Sequence, residues 1–346
     1  MSGKKPRALI AMSGGVDSSA AALLAMRMGF ECTGVTMTLF GFNEGAERCA
    51  KTLGIEHQRV DFTDEFRACV IEPFVSSYEK GETPNPCVVC NKEIKFGILY
   101  DYAVSKGFDK LVTGHYARIE EGRLMRAADA SKDQSYFLCG LTPEKLSRVL
   151  FPLGGLTKKE VRAIASEAGL PNADKSESQD ICFIPEGGYA EFIEGWRGEA
   201  PAAGNFVDTS GRVLGRHGGI ERYTIGQRKG LGIALGHPVF VMEIRPGTGE
   251  IVLADEEEVY SSRIKISEVN LLSEIKDRAQ VMIRYKSKPI WATIKSIDGG
   301  NLTAEFDEPV RAPAKGQAAV FYEGDYVIGG GIIVSANSAK DSTKLR

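Results

Sequence analysis

The sequence predicts an α/β protein: an N-terminal domain built on a parallel sheet, then a small central β domain and a C-terminal β-barrel. Apolar, β-prone stretches alternate with helical patterns in the first part of the chain, which is typical of parallel strands covered by helices. A glycine-rich loop joins the first strand directly to the first helix. Further on, short β-prone segments punctuated by glycine replace helical periodicity. We expect domains at 1–197, 198–262 and 263–336, and a polar tail at 337–346.

The loop between the first strand and the first helix is the predicted ligand site. Gly14 and Gly15 let the backbone bend and approach a ligand closely, and the free N–H groups of the first helical turn favour an anion. A Walker loop needs a closing Lys-Ser/Thr pair and a Rossmann turn needs three spaced glycines, so the spacing excludes both. An ordinary serine-capped helix start is the alternative. The expected phosphate-binding residues are Ala11, Met12, Ser13, Gly14, Gly15, Val16, Asp17 and Ser18.

Two strand ends are predicted to face the same crevice as this loop. The pattern predicts helices at 20–28, 46–53 and 64–78, the last kinked at Pro73, and strands at 31–39, 57–62 and 110–113. Ligands of parallel sheets bind at the carboxyl ends of the strands. Met37 and Gly114, which lie near two such ends, are either ordinary strand-end residues or line a ligand pocket through their backbones; the family resemblance given below implies the second, with adenosine as the ligand.

Seven cysteines, an odd number scattered along the chain, do not form a secreted disulfide framework, so their reactivity is of interest. Two prolines before Cys87 predict a stiff loop, with a helix resuming after Asn91. Cys90 is then expected at or just before a helix N-terminus, where the dipole and Lys92 or Lys95 favour the thiolate. The Cys87-x-x-Cys90 pair suits a redox dithiol, half of a zinc site or part of an iron–sulfur site; the lack of a second such pair weakens zinc.

Other polar segments allow two readings each. His115 lies at a predicted strand end and is either a structural histidine or a functional one. The segment 132–134 is either a polar loop or part of a functional site. Cys182 is either an inert core thiol between apolar neighbours or an accessible thiol on a mobile segment. Thr157 and Glu160 predict a capping box at the start of a helix, to which we assign a structural role only.

The second half of the chain is predicted to be β-rich. Strands at 239–244 and 250–253 flank a Pro-Gly turn, and those at 281–285, 290–294, 302–306 and 317–322 are spaced like the strands of a small barrel. Two segments carry clustered cations, 284–288 and 227–229. Each is either a solvated surface or a contact with nucleic-acid phosphates.

Composition sets outer limits on function. The 346 residues are 43% hydrophobic and 26% charged with a formal net charge of −3, which is typical of a globular protein and does not by itself predict a nucleic-acid partner. The sequence contains no apolar run long enough for a membrane span. We therefore expect a cytoplasmic protein without a membrane partner.

Seven motifs together resemble the tRNA-specific 2-thiouridylase family of the PP-loop ATP pyrophosphatase superfamily. The resemblance runs through nearly the whole chain and implies a HUP-like catalytic domain, a central β domain and a tRNA-binding C-terminal barrel. The motifs are SGGVDS at 13–18, TPNPxxxCNKEIKF at 83–96, GHYAR at 114–118, KDQSYFL at 132–138, SQDICFI at 178–184, YTIGQRKGL at 223–231 and GQAAVFY at 316–322.

The resemblance implies a reaction, its cofactor and its partners. ATP with Mg²⁺ adenylates the C2 oxygen of the wobble uridine in tRNAs for lysine, glutamate and glutamine, and sulfur then displaces AMP. Asp17 is the implied direct or water-mediated partner of Mg²⁺. The sulfur comes from a persulfide donor such as a cysteine desulfurase or a sulfur-relay protein.

The resemblance also assigns residues. Cys90 matches the nucleophile and Cys182 the cysteine that carries the persulfide, which leaves open whether a Cys90–Cys182 disulfide forms between turnovers. The element that contacts the flipped target base corresponds to Asn85, Pro86 and Cys87. The positions that match tRNA contacts are His115, Lys132, Asp133, Gln134, Arg284, Tyr285 and Gln317.

Position 87 departs from the family pattern, because many members have Asp where this chain has Cys87. With Cys90 and Cys182, this thiol could instead hold an iron–sulfur cluster that binds sulfide, so two sulfur-transfer routes stay open. Two further functions compete with thiolation. One is an amide-forming adenylating synthetase, which needs no reactive cysteines, and the other is a tRNA-binding protein without catalysis.

Overall fold

Three sheets organise the chain, whose computed structural model describes residues 5–39, 44–175, 181–185, 187–297 and 300–338. The strands in chain order are β1 Arg7–Ala11, β2 Glu31–Thr38, β3 Glu56–Asp61, β4 Lys110–Val112, β5 Arg118–Glu120, β6 Arg123–Met125, β7 Val149–Leu150, β8 Gly204–Val207, β9 Val213–His217, β10 Phe240–Arg245, β11 Glu250–Ala254, β12 Tyr260–Leu271, β13 Arg278–Met282, β14 Ile290–Ile297, β15 Asn301–Arg311, β16 Ala318–Glu323 and β17 Tyr326–Ser338.

Helices cover the first sheet and connect its strands. In chain order they are α1 Val16–Arg27, α2 Gly45–Leu53, α3 Thr63–Phe66, α4 Glu72–Glu79, α5 Pro86–Val89, α6 Leu99–Ser105, α7 Pro143–Leu146, α8 Lys158–Glu167 and α9 Tyr189–Arg197. Two π-helical segments, Arg67–Ile71 and Cys90–Ile98, join α3 to α4 and α5 to α6. At Pro73, where we expected a kink, the helix widens: the π-helical turns 67–71 precede the proline, whose missing N–H disrupts the regular α-helical hydrogen bonds.

The first sheet is parallel throughout, in the order β3-β2-β1-β4-β7, as the alternating pattern predicts. β1 lies between β2 and β4, so the strand order reverses beside it. Connections then leave the sheet on opposite sides and open a crevice at the carboxyl end of β1. The glycine loop lies at this crevice.

The two faces of the parallel sheet are packed differently. Against one face α1 buries Ala20, Ala21, Ala22 and Ala25 completely, which brings the helix close to the sheet. The opposite face packs against a large aromatic and aliphatic core that also includes barrel residues such as Tyr322. This shared core fixes the barrel against the α/β domain.

The central sheet has the order β10-β11-β8-β9, with β8 and β11 parallel and the other pairs antiparallel. The hairpin expected around the Pro-Gly turn is confirmed as β10 and β11. Its core is a small separate cluster that includes Phe206, Val241 and Ile251.

The C-terminal strands close into a six-stranded barrel in the order β12-β15-β14-β13-β16-β17, because β12 also pairs with β17. The hairpin β5–β6 extends this sheet through the pair Tyr326 and Met125. The strand predicted at 281–285 lies earlier in the chain than expected, since β13 spans Arg278–Met282 and a turn then closes from Ser287 N–H to Arg284 C=O at 3.0 Å. Among the described residues, no helix is both long and apolar enough to cross a bilayer.

Candidate functional site

The glycine loop forms the predicted anion cradle at the carboxyl end of β1. Gly14 has φ +76°, a left-handed conformation that favours glycine, and Gly15 precedes α1 in an extended conformation. Ser18 Oγ accepts from Ser13 N–H at 3.2 Å and donates to Gly15 C=O at 3.0 Å, which holds the loop closed. The N-cap residue of α1 is Gly15, which has no side chain to cap the helix, so the first N–H groups of α1 point to the crevice.

Gly114 packs directly against this loop. A Cβ at position 114 would lie 2.8 Å from both Asp17 C and Ser18 N, which are backbone atoms that cannot move away cheaply. Only glycine fits at this strand end, because the first turn of α1 approaches it so closely; the contact of Gly114 with adenosine stays a prediction. Met37, the other predicted adenosine contact, is half-buried near the end of β2 and pairs in register with Val60.

Asp17 is engaged by two side chains. Lys158 Nζ donates to its two carboxylate oxygens at 2.7 and 2.8 Å, and the Tyr116 hydroxyl donates to Oδ1 at 2.8 Å. A divalent cation bound directly to Asp17 would have to displace the Lys158 ammonium, so this donor set does not fit a direct Mg²⁺ contact, and a water-mediated contact stays a prediction. Lys158 is the functional candidate that the sequence reasoning missed, because the helix that it begins was assigned a structural role only.

The helix that carries Cys90 begins one turn earlier than predicted. Asn85 caps it by accepting from Val88 N–H at 3.3 Å, and Pro86 occupies the first helical position, where its missing N–H costs nothing. Cys90 therefore lies inside the helix rather than at its start, and the helix dipole acts more directly on Cys87. The Tyr136 hydroxyl, which lies close to the Asn85 side chain, donates to Ala318 C=O at 2.8 Å.

Three thiols share one electrostatic environment. Burial raises the pKa of Cys90 to about 11, with Lys95 opposing this shift and the nearby Cys182 and Cys87 adding to it. Burial likewise raises the pKa of Cys87 and of Cys182, and Lys95 lowers both. The expectation of a favoured Cys90 thiolate is thus wrong for the resting protein, because desolvation outweighs the cation. Lys95 acts in the expected direction, whereas Lys92 lies at the surface and pairs with Glu93 at 3.1 Å.

His115 lies between the three cysteines and the glycine loop. It is buried, its Nδ1 lies 2.7 Å from Thr113 Oγ1, and its Nε2 lies 3.4 Å from Lys95 Nζ. Burial, and then the charge of Lys95, hold its pKa well below the usual range, so the ring is neutral near pH 7. The neighbouring Gly114 contacts the loop, and one short segment therefore joins both halves of the site.

Cys182 lies in a turn, and its side chain is exposed. Enough of the protein nevertheless surrounds the sulfur atom that desolvation raises the pKa of the Cys182 thiol. The next residue, Phe183, is buried edge-on against Phe66 and Phe74. The buried Phe183 thus anchors the segment, while the neighbouring Cys182 thiol is accessible. Cys182 is therefore not an inert core thiol. The predicted motif residues 178–180 lie outside the described residues.

Metal ligation does not fit these thiols. All seven cysteines are free, and the described ranges contain no group of three His, Cys, Asp or Glu side chains that could hold a metal ion. Cys87, Cys90 and Cys182 are therefore not arranged to hold an iron–sulfur cluster. The Cys90–Cys182 disulfide stays a prediction.

The segment 132–134 is tied into the fold next to the loop. Buried Asp133 accepts from Ala127 N–H at 3.0 Å and from the Ser135 hydroxyl at 2.9 Å, and Gln134 Oε1 accepts from Tyr116 N–H at 2.9 Å. Lys132 N–H closes a turn on Asp129 C=O at 3.0 Å. Asp133 and Gln134 thus have intramolecular partners, and their tRNA contacts stay predictions.

The barrel contributes three predicted residues near the same crevice. Gln317 Nε2 donates to Thr83 C=O at 2.8 Å and so holds the segment that precedes Asn85. The ring centroid of Tyr285 lies 4.3 Å from that of Phe137. Arg284 Nη2 donates to the carbonyls of Ile225 and Ala312, both at 2.8 Å, and links the central domain to the barrel. Their proposed contacts with tRNA are untested.

Comparisons with known proteins agree with this architecture. Three family models match the chain: "tRNA methyl transferase HUP domain" at 6–186, "tRNA methyl transferase PRC-barrel domain" at 190–255 and "Aminomethyltransferase beta-barrel domain" at 261–333. A solved structure titled as a 4-thiouridine synthetase–RNA complex with bound ATP is 20% identical, covers 51% of this chain and 45% of its own, and has a TM-score of 0.37. A likeness at that level indicates neither ligand nor activity.

Full-length relatives are much closer in sequence. The tRNA-specific 2-thiouridylase MnmA of Carboxydothermus hydrogenoformans is 45% identical over 357 residues, which cover 95% of this chain and 98% of the relative. That of Lachnoclostridium phytofermentans is 43% identical over 354 residues, with 95% and 99% covered. By sequence, and by an α/β domain followed by a β domain and a barrel, this chain belongs to the tRNA-specific 2-thiouridylase family.

Proposed function

We propose that this protein is a cytoplasmic tRNA-uridine 2-sulfurtransferase that uses ATP to activate the C2 oxygen of the wobble uridine in tRNAs for lysine, glutamate and glutamine. One observation carries the proposal. In the segment that follows β4, Gly114 packs against the glycine loop and the adjacent His115 contacts Lys95. The charge of Lys95 lowers the pKa of Cys87, Cys90 and Cys182. A nucleotide in the loop and a sulfur nucleophile therefore share one crevice.

The reaction follows from this arrangement in two displacements. The C2 oxygen attacks the α-phosphorus of ATP and pyrophosphate leaves, so that a poor leaving group becomes AMP. The terminal sulfur of a Cys182 persulfide, received from a persulfide donor, then attacks C2 and AMP leaves. Attack of the Cys90 thiolate on Cys182 Sγ breaks the S–S bond, releases 2-thiouridine and leaves a Cys90–Cys182 disulfide that an external thiol must reduce.

The residues of this chain support each displacement. Lys95 lowers the pKa of the two cysteines that must react as thiolates, and the neutral ring of His115 does not compete with it for charge. Burial raises the pKa of the Cys87 thiol, so at neutral pH Cys87 does not supply the general base that an aspartate carboxylate at this position could supply.

Reconstitution tests the proposal directly. Protein, ATP, an unmodified glutamate tRNA and a persulfide donor are incubated, and 2-thiouridine is measured by mass spectrometry of nucleosides, with AMP release in parallel. We expect Cys90→Ser and Cys182→Ser to abolish 2-thiouridine, while Cys69→Ser, a half-buried thiol outside the cluster, retains it.

Each competing function predicts a different outcome. AMP release that both cysteine variants retain in full would indicate an amide-forming adenylating synthetase. Binding of tRNA without tRNA-dependent AMP release would indicate a non-catalytic binding protein. A coloured, iron-containing protein whose activity follows its iron content would replace the persulfide route by a cluster.

A further inference from the structure

The start of α8 places an ammonium group on the phosphate loop. Lys158 Nζ contacts both carboxylate oxygens of Asp17, 141 residues away in sequence, and lies 5.8 Å from the ring centroid of Tyr116. The Lys158 side chain is only 12% exposed. Asp17 belongs to the first turn of α1, whose N–H groups face the crevice, so this cation lies beside the expected phosphates.

The position of Lys158 is fixed from several directions. A capping box of Thr157 and Glu160 starts the helix, and the Lys158 N–H donates to Asp129 Oδ2 at 3.1 Å. Val16, the first residue of α1, packs in the same cluster as Ala165 of α8. The ammonium is thus held in place before a ligand arrives, which is how a preorganised charge stabilises a transition state.

We propose that Lys158 binds the β- and γ-phosphates of the nucleotide and neutralises the leaving pyrophosphate, with Asp17 as the residue that positions it. The proposal rests on the proposed function, because it requires ATP in the loop. When the bond from the α-phosphorus to its bridging oxygen breaks, negative charge develops on the departing β-phosphate oxygen, and a nearby ammonium stabilises it. The loop itself offers N–H and hydroxyl donors, and Lys158 supplies the full positive charge.

The alternative is a structural ion pair that only fastens α8 to α1. The two roles differ in which ligand they affect. A phosphate-binding cation contributes to ATP and pyrophosphate binding and little to AMP binding, because AMP lacks the β- and γ-phosphates. A structural pair contributes to protein stability and leaves the relative affinities for these ligands unchanged.

Calorimetric titrations of the full-length protein with ATP, AMP and inorganic pyrophosphate test the proposal. We expect Lys158→Met to weaken ATP and pyrophosphate binding by at least about tenfold and AMP binding by less than about twofold. Lys158→Arg, which keeps the charge, is expected to recover most of the pyrophosphate affinity. Lys159→Met is the matched control, since Lys159 is the next residue and is exposed.

The remaining outcomes are equally defined. Equal loss of ATP and AMP affinity in Lys158→Met, or unchanged pyrophosphate affinity with a lower melting temperature, overturns the proposal. Should Lys158→Met fail to fold, Lys158→Gln, whose amide can still donate to Asp17, is held to the same criteria. A wild-type protein that binds neither ATP nor pyrophosphate overturns the proposed function itself, whereas absent 2-thiouridine formation with normal nucleotide binding leaves the Lys158 test intact.

Discussion

Lys95 Nζ lies 3.4 Å from His115 Nε2, and this contact links the three-cysteine part of the candidate site to the segment that packs on the glycine loop. The ring is buried and neutral near pH 7, so it can accept a hydrogen bond from the ammonium without repelling it. Lys95 is therefore held where its charge reaches Cys87, Cys90 and Cys182. The cation counteracts burial, which otherwise keeps these cysteines in their unreactive thiol form.

In the resting protein, the Cys90 thiol should become reactive only at alkaline pH. Burial disfavours the charged form, so the thiolate accumulates only as pH rises towards a pKa of about 11. We expect the alkylation rate of Cys90 by iodoacetamide to rise about tenfold per pH unit between about pH 7 and about pH 10. Peptide mass spectrometry measures it, and a plateau below about pH 9 would contradict the assignment.

Removal of the Lys95 charge should make the site thiols less reactive. In Lys95→Met the pKa of Cys182 rises because its opposing charge is lost, and we expect its alkylation near neutral pH to slow by at least about threefold. Lys92→Met is the control, since Lys92 is exposed and paired with Glu93. Equal rates in both variants would show that Lys95 does not act on the thiol.

Gly114→Ala should damage nucleotide binding through the backbone. The new Cβ would lie 2.8 Å from Ser18 N, so the first turn of α1 must shift. We expect ATP affinity to fall by at least about tenfold and the free energy of unfolding by about 1–3 kcal/mol. Titration calorimetry and denaturant unfolding measure the two effects. Gly195→Ala, at an open position of α9, should leave ATP affinity unchanged and raise the free energy of unfolding by up to about 1 kcal/mol, and an intact ATP affinity in Gly114→Ala would refute the close approach.

The exposed cations Arg228 and Lys229 should contact tRNA phosphates. Their loop adjoins the barrel, because Arg284 Nη2 donates to Ile225 C=O at 2.8 Å. In the double variant with glutamine at both positions, we expect the slope of log affinity against log salt to decrease by about 1.5–2, with ATP binding unchanged. Fluorescence anisotropy with tRNA measures the slope.

The matched control removes one arginine and one lysine elsewhere. Arg27 ends α1 and Lys106 follows α6, and both are exposed near the amino ends of the strands, away from the glycine loop. Glutamine at these two positions should leave the salt slope unchanged. A similar decrease in both double variants would mean that tRNA binding follows overall charge rather than this loop.

Local sequence was enough to predict most of the elements. The alternating pattern predicts the parallel sheet, the capping box at Thr157 predicts the start of α8, and the glycines at 14 and 15 predict the bend after β1. Each of these signals depends on neighbours within about one helical turn, where propensity and capping act. The start of α5 was misplaced because Pro86 reads as a breaker, although proline is favourable at the first helical position.

The sequence by itself determined the order of the α/β domain, the β domain and the barrel, the position of the glycine loop, and the motifs that resemble one family. Only the tertiary structure decided that Asp17 pairs with Lys158, that Cys182 is exposed beside buried Phe183, and that burial raises the pKa of Cys90. These outcomes depend on residues far apart in the chain and on how much protein surrounds each charge. Solvation and long-range contact are properties of the packed molecule, so no local pattern contains them.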